Sequence, residues 1–318
     1  MNLPVTVDDI QAAARRIEGR VLRTPLRYSQ WLSERCGTEV FLKLETLQPT
    51  FSYKIRGAFN AVLALIETHG PAAPPLVTAS AGNHGRALAY AAHIAKLPLT
   101  AYVPENAPRT KLDAIRASGA TLRTCRDYDE AEIRAKEHAA RGEALFISPY
   151  SHPDVIAGAG TIGLEILADH PRIARVVVPV GGGGLISGVA IALKQSSAAC
   201  DVLGVEVAAS TPFTRALAAG RIVPIEVGDT LADGLSGNLD PDTITFDIVR
   251  TLVDGIDIVT EPQLAQAISG LVNEEKLIAE GAGAAATASV LAHGAPDGPV
   301  AVIVSGANID IEKLKRTI

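Results

Sequence analysis

The residues best placed to do chemistry lie in glycine-rich stretches and at one lysine. Val178-Pro179-Val180-Gly181-Gly182-Gly183-Gly184-Leu185 runs from a strand-like segment through four consecutive glycines into a helical pattern. Without side chains, successive backbone N–H groups can converge on an anion, and a helix N-terminus adds about 0.3–1 kcal/mol of favourable potential. A phosphate suits that cradle; a flexible, closely packed turn is the alternative. The stretch is neither GxxxxGK[ST] nor GxGxxG with an acidic ribose contact, which disfavours nucleotide loops of those two kinds. Thr78-Ala79-Ser80-Ala81-Gly82-Asn83-His84-Gly85 also passes from strand into helix. Ser80 and Asn83 suit a helix cap, and the exposed amides suit a carboxylate equally well. His84 alone fits a structural role better than that of a base. Lys54, in isolation, would be an ordinary surface charge. A lysine partly desolvated near another cation can instead form a Schiff base, and a phosphate loop elsewhere in the chain makes that option specific.

These segments need a scaffold, and the rest of the sequence supplies one. Short apolar runs (Val40–Leu44, Leu76–Ala79, Leu99–Val103, Thr121–Arg123, Ala144–Ile147, Arg175–Val180, Val202–Val207, Pro299–Val304) alternate with helix-period runs. The helices are expected over 57–68, 82–94, from 111, and over 130–138, 160–168, 185–194, 261–275 and 282–293, with an amphipathic helix across 1–20. Strand–helix–strand alternation predicts an α/β fold of open twisted parallel sheets flanked by helices. The number of units suggests two lobes. Ligands in such folds sit beyond the carboxyl ends of the strands, where the glycine clusters after Ala79, Val180 and Val304 fall.

Composition narrows the function. A formal net charge of −6, with basic residues scattered among acids, argues against nucleic-acid binding. The apolar runs are too short to cross a bilayer, and no basic start followed by an apolar run marks a secretory signal. Cys36, Cys125 and Cys200 are far apart, with no metal-ligand spacing, and read as reduced thiols of a cytoplasmic protein.

Taken together, the motifs resemble the threonine/serine dehydratase and serine racemase branch of the fold-type II pyridoxal-phosphate (PLP) enzymes, the architecture of the tryptophan synthase β chain. Ser52-Tyr53-Lys54-Ile55-Arg56-Gly57-Ala58 matches the segment that carries the Schiff-base lysine. Ser80-Ala81-Gly82-Asn83-His84 matches the carboxylate loop, Gly181 to Gly184 the phosphate cradle, and Ser305-Gly306-Ala307-Asn308 the segment facing the pyridine nitrogen. Glu280-Gly281-Ala282-Gly283 falls where the family has an acidic residue near the cofactor. Five motifs in the family's order span nearly the whole chain.

The resemblance implies PLP on Lys54, which, once freed by the substrate amine, removes the Cα proton. Tyr53, Asn83, Gly181, Gly182, Gly183, Gly184, Leu185, Glu280 and Ser305 would contact the cofactor. Ser80, Ala81, Gly82, Asn83 and His84 would hold the substrate, with Lys54, Ser80 and Asn83 at the reacting centre. Ser305, a neutral partner for the ring nitrogen, favours prompt loss of a β-hydroxyl, with the cofactor phosphate as the acid. The implied domains are a large PLP-binding one from 1–70 and 146–318 and a small mobile one from 71–145. A homodimer acting on a free amino acid is implied too.

Three departures refine the expected activity, which is dehydration and deamination of a β-hydroxy-α-amino acid to a 2-keto acid and ammonia. Racemases of the family carry a second serine where this chain has Ala81, which disfavours racemisation. The family's cation site pairs a Glu with an Asp six residues on; here Glu206 is followed by Pro212, so no metal is expected. Phe51 replaces a glycine, and an aromatic side chain there would favour an aromatic substrate such as L-phenylserine. The chain ends soon after Ser305, so no regulatory domain is expected. The rival readings are a serine racemase-like enzyme, a β-replacement PLP enzyme, and a PLP or amino-acid binding protein without turnover.

Overall fold

The computed structural model describes residues 3–196, 199–295 and 297–318. Among them run ten strands: β1 (Leu26–Tyr28), β2 (Val40–Leu44), β3 (Leu76–Ala79), β4 (Leu99–Pro104), β5 (Thr121–Cys125), β6 (Leu145–Phe146), β7 (Arg175–Pro179), β8 (Asp201–Val207), β9 (Gly255–Val259) and β10 (Val300–Val304). They form a six-stranded sheet ordered β1-β2-β10-β7-β8-β9 and a four-stranded sheet ordered β5-β4-β3-β6. Every pairing is parallel except that of β1 with β2. The fold is thus the two-sheet α/β architecture that the strand–helix rhythm predicts.

Period-two alternation sends the larger sheet's side chains to two cores. Leu42, Leu44, Val177, Val205, Val302 and Val304 meet the helix Gly281–His293. Val176, Val178, Ala301 and Ile303 meet the helices Pro153–Asp169 and Gly184–Gln195. Those two helices touch backbone to backbone: a Cβ on Gly188 would lie 2.6 Å from the Gly160 nitrogen, so glycine is required there. Such close packing fixes the start of Gly184–Gln195, the helix that the glycine loop enters.

The helix expected over 57–68 begins three residues earlier, at Lys54, and runs to His69. Its residues Ile55, Phe59 and Val62 pack with Leu76, Leu88 and Val103 in the core of the smaller sheet. The N-terminal helix is Val7–Arg16, capped by Thr6 and Asp9; of the span 1–20 expected for it, Met1 and Asn2 lie outside the described residues. Not anticipated were β1, the helices Gln30–Cys36, Pro212–Ala219, Thr245–Leu252 and Ile311–Thr317, and the edge strand β9. These are short elements whose patterns are too brief to stand out. No helix among the described residues is long and apolar enough to cross a membrane.

Candidate active site

The carboxyl ends of β2, β7 and β10 converge, and the loops that leave β2 and β10 are tied together. Ser52 and Gly306 form an antiparallel bridge. The Tyr53 N–H donates to the Ser305 carbonyl at 3.0 Å, and the Ala307 N–H to the Phe51 carbonyl at 2.8 Å. This stitching puts Lys54, first residue of its helix, beside Ser305, although 251 positions separate them in the chain (305 − 54). The Lys54 ammonium lies 5.1 Å from the Tyr53 ring centroid and donates to the Pro149 carbonyl at 2.7 Å. Ser305 is buried, with its hydroxyl directed at the Ala282 carbonyl, 3.4 Å away.

Asn83 and Glu280 meet across the site. The Asn83 side-chain amide donates to the Glu280 carboxylate, and its oxygen accepts from the Asn308 amide at 2.6 Å. Gly306 lies against both, because a Cβ there would stand 2.3 Å from Glu280 Oε1 and 3.3 Å from Asn83 Nδ2. Burial pushes the Glu280 carboxyl up from 4.5 to about 7, against the opposing pull of the Asn83 hydrogen bond. The folded chain therefore retains a proton between about pH 4.5 and 7 that the unfolded chain has released, and Glu280's contribution to stability declines as pH rises through that window. We expect the cofactor-free protein to lose up to about 3 kcal/mol from this group between pH 4.5 and 8, and Glu280→Gln to remove most of the loss. Urea unfolding of both chains at the two pH values measures it; an equal loss in the Gln chain would assign the effect to other groups.

Of the two residues suited to cap the helix Asn83–Ala95, Asn83 is instead its first residue, with its side chain turned to Glu280 and Asn308. The Ser80 hydroxyl oxygen accepts from the N–H groups of Gly82 and Gly85, each at 3.2 Å, which shapes the turn into the helix Asn83–Ala95. Its own O–H proton stays available to a ligand, as do the N–H groups of Asn83 and His84, which have no acceptor within the helix. Gly82 precedes that helix, and Ala81 is half-buried between Ser80 and Gly82. His84 is buried, with Nε2 3.2 Å from the Ile147 carbonyl.

Tyr150, which no sequence pattern had marked, walls the glycine loop. A Cβ on Gly182 would fall 2.3 Å from its ring, and one on Gly184 would fall 3.0 Å from its backbone. Gly183 has φ +84° and lies against Phe213, so a side chain there would be both strained and obstructed. Leu185 follows, buried in the first turn of its helix. Phe213 leads to Glu206, whose carboxylate accepts from the Phe213 and Thr214 N–H groups at 2.7 and 2.9 Å and from the Thr214 hydroxyl at 2.6 Å. Glu206 thereby holds the start of the helix Pro212–Ala219. Among the described residues no group of three or more His, Cys, Asp and Glu side chains is placed to hold a metal ion.

Phe51 stands at the rim rather than in the interior. Its ring is 48% exposed and lies 5.0 Å from the Arg86 guanidinium, which donates to Asn308 Oδ1 at 2.7 Å. Its backbone is left-handed, φ +59°, a conformation natural to the glycine expected there.

The largest feature that sequence reasoning missed lies behind Lys54. Arg56 is fully buried and grips Glu45 with Nε and Nη2, both at 2.8 Å. It also holds Glu165 at 2.7 and 2.9 Å, and Lys43 reaches Glu165 at 2.6 Å. Burial alone would raise the Glu45 carboxyl, yet the Arg56 guanidinium holds it below the ordinary range. Two cations balance two carboxylates, all but Glu165 fully buried, and the charges brace the first turn of the lysine's helix.

The residues present fit a phosphorylated pyridine aldehyde. Lys54 can take the aldehyde carbon, the bare loop Gly181–Gly184 at a helix start can take the phosphate, and Ser305 and Asn83 can take the ring nitrogen and ring hydroxyl. The fit rests on a half-buried lysine whose ammonium donates to a backbone carbonyl, and on glycines at which a Cβ would strike Tyr150 or Phe213.

Comparison with known proteins agrees. A family model described as pyridoxal-phosphate dependent enzyme matches residues 17–306. An L-threonine ammonia-lyase of Thermotoga maritima is 42% identical, over 99% of this chain and 78% of its own. The L-threonine dehydratase catabolic TdcB of Escherichia coli is 36% identical, over 99% and 96%. A serine racemase of Dictyostelium discoideum is 34% identical, over 99% and 98%. Among solved structures, a pyridoxal 5'-phosphate-dependent aspartate racemase superposes with TM-score 0.92 at 31% identity, covering 99% of both chains. A threonine deaminase from T.th. superposes with TM-score 0.87 at 39% identity, covering 96% of this chain and 99% of its own.

Proposed function

The chain belongs to the pyridoxal-phosphate dependent enzyme family, and on that premise we propose that it converts a β-hydroxy-α-amino acid to a 2-keto acid and ammonia by β-elimination, as a dehydratase. The observation that supports this reading is the stitching of the Lys54 loop to the Ser305 loop, which ties together the two segments that carry an amine and a neutral hydroxyl. Bound pyridoxal phosphate supplies the electron sink that weakens the Cα–H bond of an attached amine. The Ser80 hydroxyl and the first-turn amides of Asn83 and His84 bind the substrate carboxylate and orient the Cα–H bond. Lys54 Nζ, once displaced, accepts the Cα proton. Asn83 would orient the ring through its oxygen substituent, and Ser305, a hydroxyl rather than a carboxylate, would leave the ring nitrogen short of a full positive charge. Closure of the 71–145 lobe over the larger one would exclude water until the β-hydroxyl has left.

Relatives of both activities are similar over nearly the whole chain, so similarity alone does not separate elimination from racemisation. Ala81 favours elimination: its methyl group has no proton to deliver to the opposite face of Cα. L-Threonine and L-serine are the proposed substrates, the first in line with the activity that the names of the dehydratase relatives give those proteins.

A finer preference for an aromatic β-substituent rests on Phe51, whose ring stands at the rim of the same stitched loops. Burying one phenyl group against it corresponds to roughly a 10–150-fold preference. The test is 2-keto acid release by the PLP-loaded protein with L-threonine, L-serine and L-phenylserine. Turnover of threonine or serine supports the dehydratase, and a phenylserine advantage that Phe51→Gly erases supports the aromatic pocket. An unchanged ranking in the Gly chain removes Phe51 from specificity. Silence on all three substrates despite a normal visible band would favour a binding protein or a β-replacement enzyme.

A further inference from the structure

His84 carries a hydrogen-bonding atom that the fold leaves unsatisfied. The residue is 2% exposed in the first turn of the helix Asn83–Ala95. Its Nε2 faces the Ile147 carbonyl at 3.2 Å, and a carbonyl only accepts, so Nε2 carries the ring proton and Nδ1 presents its lone pair. Nδ1 is buried and has no partner among the described residues. Buried polar atoms are nearly always hydrogen-bonded, and an exception calls for a reason.

The surroundings supply one. Ile147 prolongs the ladder of β6, its N–H donating to the Val77 carbonyl at 2.9 Å, and two residues later the Pro149 carbonyl accepts the Lys54 ammonium at 2.7 Å. The two carbonyls lie two residues apart, so the imidazole and the ammonium are anchored to one short segment just beyond β6. Burial first, and the Lys54 charge second, hold the imidazole's pKa down to about 3, with His152 a weaker contributor. His84 is therefore a neutral acceptor at any working pH and takes no proton itself.

We propose that His84 is a positioning residue for Lys54. Its Nδ1 accepts a hydrogen bond from the lysine amine after the substrate has displaced it from the cofactor, and this bond keeps Nζ beside Cα. No covalent bond is made or broken at the imidazole. The proposal rests on Lys54 being the lysine that carries the cofactor.

The test is a spectrophotometric titration of the PLP-loaded protein with glycine, which displaces the lysine but has no β-substituent to lose. His84→Gln keeps an N–H donor for Ile147 and removes the Nδ1 acceptor; His84→Asn keeps an acceptor near the Nδ1 position. We expect the Gln chain to need roughly 10–100-fold more glycine for half-displacement, and the Asn chain to stay within about threefold of the unaltered protein. The reverse order, Gln normal and Asn impaired, would mean that only the Ile147 contact matters and would overturn the proposal. If the Gln chain fails to take up cofactor, the Asn chain decides alone: about threefold or less supports the proposal, and about tenfold or more refutes it. A visible lysine-bound band that persists in Lys54→Ala would refute the underlying assignment of Lys54, whatever the His84 chains do.

Discussion

Lys54→Ala is expected to fold, to lose the visible absorption of a lysine-bound cofactor, and to release 2-keto acid at least about 10³-fold more slowly than the unaltered protein. A positioned proton-transfer group contributes roughly 10²–10⁴-fold, and the covalent hold on the cofactor is lost with it. Folding is spared because the ammonium makes one hydrogen bond, to the Pro149 carbonyl, and alanine is the better helix former. Lys54→Arg separates charge from chemistry: it retains the cation but cannot form the Schiff base, and should be as inactive as the alanine chain. Circular dichroism and keto-acid assays on the three chains check this. Substantial turnover by either variant would move the chemistry to another residue.

Arg56→Met should cost about 3–5 kcal/mol of stability, far more than any surface charge. Removing the guanidinium leaves the fully buried Glu45 and the largely buried Glu165 with only Lys43 to oppose them, and an uncompensated buried carboxylate carries a penalty of that size. Arg250→Met is the control, because Arg250 pairs with Asp247 at the surface and should change stability by less than about 1 kcal/mol. Urea unfolding of the cofactor-free chains measures both. Replacing the whole network with apolar residues of matched volume would be far milder, since paired charges gain little over good packing. Activity should fall as well, because Arg56 lies one residue beyond Ile55 in the turn that presents Lys54.

Much of this site could be read from the sequence because its parts have local signatures. A glycine run between an apolar strand and a helix needs no tertiary information to suggest a phosphate cradle, and Gly183 at φ +84° shows why an L side chain is excluded there. The strand–helix rhythm likewise carried the two mainly parallel sheets. What stayed hidden depends on distant contacts. Arg56 looks like any charged residue in a helix until Glu45 and Glu165 close around it. Tyr150 sits in a loop without periodicity, and only folding presses it against Gly182. Glu206 shows the converse: a residue matched to a cation site is engaged with the backbone of the next helix. Phe51 was conspicuous as a bulky residue in place of glycine, but its placement at the rim under Arg86 follows from a backbone angle that composition does not reveal.

The account depends above all on one covalent bond, and locating it is the most direct test. The PLP-loaded protein would be reduced with borohydride, digested, and the lysine that carries the added pyridoxyl mass identified. The predicted result is modification of Lys54 alone, blocked when a substrate amino acid occupies the site before reduction. Modification of any other lysine, with Lys54 untouched, would contradict the account.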